Sequence, residues 1–201
     1  MPERRVDQAA TVGGFDFTFH MRRLCADMIG RLDELAHIDL DRVAIRFCQA
    51  RSSSRYGIQA SLTPLRFERG EMFTVRRGRR YQIERLFDRA GREMLYLLSF
   101  YLPRFLDIPH QEKLTTVIHE LWHISPRFDG DIRRHAGRCY AHSGSQRNYD
   151  AQMAKLASRW LSLDPPEELH AFLRHGFRQL QAHQGPIFGA KIPNPKLIRS
   201  L

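Results

Sequence analysis

"MLYLLSFYLPRFLDIPHQEKLTTVIHELWHI", residues 94–124, joins two segments of different period, and its reading decides how the rest of the chain is understood. Residues 94–102 are apolar almost without interruption and stop at Pro103, the pattern of a buried β-strand over 93–103. Beyond Pro109 the apolar residues Leu114, Val117, Ile118 and Leu121 recur at three- and four-residue spacing. That period predicts a helix over 108–124, with Pro109 near its start, Glu112 in its first turn, and Pro126 and Gly130 to stop it.

Upstream, Leu24, Met28, Leu32 and Leu35 predict an amphipathic helix over about 16–37. Alternating Val43, Ile45 and Phe47 predict a strand over 42–51, and "YGIQASLTPLRF" (56–67) a second one, where Pro64 suggests an edge or a bulge. "EMFTVRRGRRYQIERLF" (71–87) reads as a hairpin turning near Gly78, followed by a turn at "DRAGRE". Two more helices are expected, at about 148–162 and 166–183, separated by Asp164-Pro165-Pro166. The tail from Gly185, with three prolines, reads as extended. This order implies one α+β domain over 1–201: an N-terminal helix (1–40), a small mixed sheet (41–103), a helix and loop (109–142), and C-terminal helices with a tail (148–201).

With 201 residues, 42% hydrophobic and 27% charged, the chain can bury a core and has the balance of a soluble globular protein. Its longest apolar run is less than half a membrane span. "MPERRVDQAATVGG" lacks the apolar stretch of a secretory signal, and three scattered cysteines (Cys25, Cys48, Cys139) form no disulfide pattern, so a cytoplasmic protein is expected. The net charge of +10 invites contact with nucleic acid, although only four of the 32 basic residues are lysine and such a skew also arises from coding bias.

Within the helix, His119 and His123 lie one turn apart on one face, so two imidazoles can converge on an ion about 2 Å from each nitrogen. Glu120 sits roughly a hundred degrees round the helix. From there it can serve as a general base toward water, which is the physical reason for the H-E-x-x-H spacing. Thr116 is small and on the histidine side, and no charge other than Glu120 occurs between Lys113 and Arg127. The competing reading is a helix with surface histidines in a chain that has ten of them.

"TVIHELWHIS" (116–125) resembles the active helix of zincin-type zinc peptidases, departing from it at Ser125, where a hydrophobic residue is usual. The metzincin turn does not fit, because Pro126 stands in its glycine place and Asp129 in its final ligand place. "ISPRFDGDIRRHAGRCY" (124–140) looks more like the SprT-like proteases and phage-type metallopeptidases, in which a loop of this length leads to a third histidine near a glycine. The resemblance covers about 95–142. It implies a zincin-like fold and a cytoplasmic zinc metalloendopeptidase acting on a protein or peptide, with Zn2+ held by His119, His123 and His135 and Glu120 as general base. His142 is the runner-up for third ligand; Asp129 and Asp131 are carboxylate candidates that could equally form a turn or orient a ligand histidine. Tyr140 and Tyr149 could donate to an oxyanion, as such enzymes often arrange. An edge strand, at 56–67 or at 93–102, would pair with an extended substrate.

Other features carry bland readings beside sharp ones. "RRGRR" (76–80) is a solvated turn or a phosphate grip, and SprT-like relatives act on DNA-bound proteins, so DNA or a DNA-bound protein is a further expected partner. No CxxC pair exists for an extra zinc module. A basic nucleic-acid-associated protein with a structural zinc is the alternative function. His170 and His175 are expected on the surface of an amphipathic helix, and Cys139 to be inert.

Overall fold

The computed structural model describes residues 4–5, 13–50, 57–134 and 146–200. At its centre, β8 (Tyr96–Leu102) lies between β3 (Val43–Gln49), which runs parallel to it, and β4 (Ala60–Pro64), which runs antiparallel. The central place explains why the apolar run does not alternate, since both faces of β8 are covered. Tyr96, Leu98 and Phe100 join Val43 and Ile45 in the main core, whereas Leu97 and Ala44 turn to a second cluster with Leu65, Leu86, Met94, Ala190 and Ile192.

Helices fill the first face. α1 (Phe17–Arg31), α2 (His110–Trp122) and α3 (Gln146–Ser162) send Met21, Leu24, Leu114, Val117, Met153 and Trp160 into the main core. Asp16 caps α1 by accepting from the Phe19 amide at 3.0 Å. α3 is tied to α1 by Trp160, fully buried, whose Nε1 donates to Asp27 at 2.8 Å. A short α4 (Phe177–Gln184) follows. No helix among the described residues is long and apolar enough to cross a membrane.

The opposite face carries a second antiparallel sheet, ordered β10 (Leu197–Arg199), β6 (Arg79–Ile83), β5 (Phe73–Arg76), with Ile83 packed on the second cluster. Two short parallel pairs complete the strands: β1 (Arg4–Arg5) with β7 (Leu86–Phe87), and β2 (Phe15–Asp16) with β9 (Ile187–Phe188). The tail is extended, as the sequence predicts, and is fastened across the molecule. Arg46, 5% exposed, donates to Ser99 Oγ at 2.8 Å and to the Ile192 carbonyl and Asn194 Oδ1. Glu84 holds the backbone of Lys196, and the Ala190 amide donates to Thr18 Oγ1 at 2.9 Å.

Two helix expectations need correction. The first helix ends at Arg31, and Leu32 and Leu35 reach the core through an extended residue and a 3-10 turn (Asp33–Leu35). The segment 166–183 is broken into turns at Glu167–Leu169 and Ala171–Arg174 before α4. The buried ammonium of Lys113 donates to the carbonyls of Leu173 (2.7 Å) and His175 (2.8 Å), satisfying backbone acceptors that a continuous helix would satisfy internally. His170 is therefore buried, 6% exposed, edge-on to Trp160, not a surface residue. His175 is half-buried.

Candidate functional site

α2 presents Leu114, Val117, Ile118 and Leu121 to the core, which leaves Thr115, Thr116 and His119 along its outer side. The helix stops at Trp122, with His123 as its C-cap. His119 Nε2 and His123 Nε2 lie 2.9 Å apart, the rings 4.7 Å apart and nearly perpendicular. Two ligands of a tetrahedral ion, each about 2.0–2.1 Å from it, are about 3.3 Å apart, so this pair is within a few tenths of an ångström of a ligand spacing. The same contact also accommodates one ring N–H donating to the other nitrogen. The two side chains converge on one point beside the helix.

Glu120 is 8% exposed and leans on the sheet edge, where its carboxylate accepts a hydrogen bond from the Leu62 amide. Burial pushes its pKa up to about 7, and the Leu62 bond only partly opposes the rise. β4 is the edge strand. Leu62 and Pro64 share the outward register, so the proline's missing N–H removes no ladder bond. A cleft of about 460 Å3 opens between this edge, α2 and α3, lined by Gln59, Ala60, Thr116, His119, Glu120 and Asp150. Tyr149 of α3, 1% exposed, packs against the histidine pair with ring centroids 5.0 Å from His119 and 6.0 Å from His123. Burial, then the neighbouring Glu120 charge, raise the phenol's pKa, so it stays a proton donor.

After His123 the chain turns back on itself. Ile124 bridges Ile132, and the Arg133 amide donates to the His123 carbonyl at 2.7 Å. Arg133 also donates from Nε to the Trp122 carbonyl at 2.8 Å and stacks on the Trp122 ring, a cation at the C-terminal end of α2. Tyr96 anchors the loop from beneath by accepting from the Gly130 amide and donating to the Asp131 carbonyl, both at 2.9 Å. Gly130 has φ +87, and a Cβ there would meet Arg66 Cγ at 2.5 Å, so only glycine fits.

The Asp131 carboxylate accepts from the Arg69 amide (2.9 Å), the Ile132 amide (2.8 Å) and the Arg134 guanidinium (2.8 and 3.0 Å). Asp129 accepts from the Asp131 amide at 3.2 Å. Both aspartates build the turn and neither approaches the histidine pair as a ligand; among the described residues no group of three or more histidine, cysteine or acidic side chains is arranged around an ion. His135, His142, Cys139 and Tyr140 lie outside the described residues.

Tyr96 has no signature in the sequence beyond its place in an apolar strand, and the Leu62 amide has none at all, because which backbone groups face outward depends on strand register. Tyr96→Phe is expected to lower stability by about 2 kcal/mol, because the buried Gly130 amide loses its acceptor and the Asp131 carbonyl keeps only the Ser125 amide. Urea unfolding of the two proteins measures it; an unchanged midpoint would show that the loop holds without this anchor.

Comparison of the chain with protein-family models, with curated proteins and with solved structures finds no match.

Proposed function

We propose that the chain is a zincin-like zinc metallopeptidase of SprT-like or phage-type kind, cleaving peptide bonds within a protein or peptide. The observation that carries this reading is the 2.9 Å approach of His119 Nε2 and His123 Nε2 beside a buried carboxylate with a pKa near 7. A helix bearing these histidines for packing alone would not also bury Glu120 without a cationic partner, given what a buried carboxylate costs.

His119 and His123 would hold Zn2+, with His135 as third ligand. When bound, zinc supplies Lewis-acid activation of water and of the scissile carbonyl. Glu120 would take a proton from the attacking water and deliver it to the leaving amine nitrogen. The Leu62 amide keeps the carboxylate oriented. Tyr149, packed against both histidines, would offer its phenol to the developing oxyanion. The outward groups of β4, the edge strand, would pair with an extended substrate, while β8 is central and covered on both faces.

The decisive experiment combines metal analysis with hydrolysis of an unfolded protein substrate. The intact protein should bind about one zinc per chain and cleave; a chelator should abolish cleavage and added zinc restore it. His119→Ala should lose both metal and cleavage. Zinc uptake without any hydrolysis would instead favour a structural ion, which is closed by four protein ligands.

A further inference from the structure

The two histidines of α2 are not held alike. His119 lies inside the helix, whose own hydrogen bonds fix its backbone. His123 is the C-cap, where the helix is coming apart. Its amide reaches the His119 carbonyl at 3.3 Å, and the Ile124 amide already makes the tighter 3-10 bond, to the Leu121 carbonyl at 3.1 Å. The last carbonyls of a helix have no helical donor and need one from elsewhere. For the Trp122 carbonyl the sequence makes this certain, because the residue four positions on is Pro126, which has no N–H.

Arg133 supplies the missing donors. Its Nε donates to the Trp122 carbonyl at 2.8 Å, and its own amide donates to the His123 carbonyl at 2.7 Å. These two carbonyls belong to the peptide groups on either side of the His123 Cα. With both planes fixed, the direction of the Cα–Cβ bond between them is fixed as well. We infer that Arg133 is a positioning residue for the second histidine, aiming its imidazole at His119 and so setting how tightly the pair holds a metal ion. This role rests on the reading of His119 and His123 as metal ligands.

The environment of the guanidinium agrees with that role. It is half-buried, and burial works against its charge, lowering its pKa. No carboxylate among the described residues pairs with it, whereas the next residue, Arg134, pairs with Asp131. What holds the cation is the end of α2 itself: the Trp122 carbonyl and the Trp122 ring, whose centroid lies 4.2 Å from the guanidinium carbon. The grip is therefore on the residue next to His123, 2.9 Å of whose Nε2 is the Nε2 of His119.

The test is zinc affinity of the whole chain, measured by competition with a chromophoric chelator. Arg133→Met fills the volume but neither donates nor carries charge. It should bind zinc about 10- to 100-fold more weakly than the parent, the usual cost of losing a group that orients a ligand. Arg133→Ala should lose affinity likewise, and it decides the matter should Arg133→Met fail to fold. In chelator, both should melt within about 4 °C of the parent, since one side-chain hydrogen bond is at stake. Arg133→Lys keeps a donor for the carbonyl and a charge over the ring, and should bind within about threefold of the parent. The visible spectrum of bound Co2+ follows ligand geometry; it should change in Arg133→Met and return in Arg133→Lys. Arg134→Gln, which loses the bonds to Asp131 instead, should keep the parental zinc affinity. Parental affinity in Arg133→Met and Arg133→Ala overturns the inference and leaves the metal site standing, as does an equal loss in Arg133→Lys or Arg134→Gln. A parent that takes up no zinc removes the site itself, and this role with it.

Discussion

Glu120→Gln is expected to lower kcat/KM on the order of a thousandfold on any substrate the protein cleaves, while zinc content stays at the parental level. The amide matches the carboxylate in shape, and its oxygen can still accept from the Leu62 amide. It cannot accept a proton, so the chemical step alone is lost. His119 and His123 are expected to keep their approach to each other.

A second readout separates this role from packing. In the chelated protein the Glu120 pKa is raised by burial from an ordinary carboxylate value to about 7, so the folded state holds its proton more tightly than the unfolded chain. Glu120 therefore destabilises the parent increasingly as pH rises from about 4.5 to about 7, and by a constant amount above that. The amide variant escapes this loss and should be more stable than the parent at pH about 8, by up to about 3 kcal/mol, with little difference at pH about 4. Urea unfolding at both pH values measures the gap. A glutamine variant that hydrolyses substrate at the parental rate would refute the base assignment; equal stabilities at both pH values would show that Glu120 is not a buried charge.

Arg46→Ala should cost about 3 kcal/mol or more and release the tail from the sheet. The guanidinium is buried between Ser99 on β8 and the Ile192–Asn194 stretch, and its removal leaves the Ser99 hydroxyl and the Ile192 carbonyl without their donor, beside a cavity. Hydrogen exchange should report the loss first at residues 190–199. Arg46→Met, which fills the volume but donates nothing, should fall between parent and alanine. If alanine at 46 leaves exchange in the tail unchanged, the Glu84 and Thr18 contacts hold the tail without it.

The elements that were legible in the sequence are those whose pattern is local. The β5–β6 hairpin announces itself through Gly78, and α2 through its apolar spacing and Pro109. The 93–103 run reads correctly as a buried strand because no alternation survives when both faces are covered. The break of 166–183 was hidden, since Leu169, Phe172 and Leu173 keep a helical period while the disruption comes from Lys113, some sixty residues earlier in the chain. The burial of His170 was hidden for the same reason.

Spacing along one helix determined that His119 and His123 share a face and that Glu120 stands beside them, because helical geometry depends on nothing beyond the next turn. The chain's composition likewise determined its surplus of cationic side chains. Only tertiary structure decided that Glu120 is buried against the Leu62 amide, that β4 and not β8 is the edge, and that Asp131 is consumed in its turn. Those outcomes depend on which strands pair and which faces are covered, and residues far apart in sequence set them through contacts that no short stretch contains.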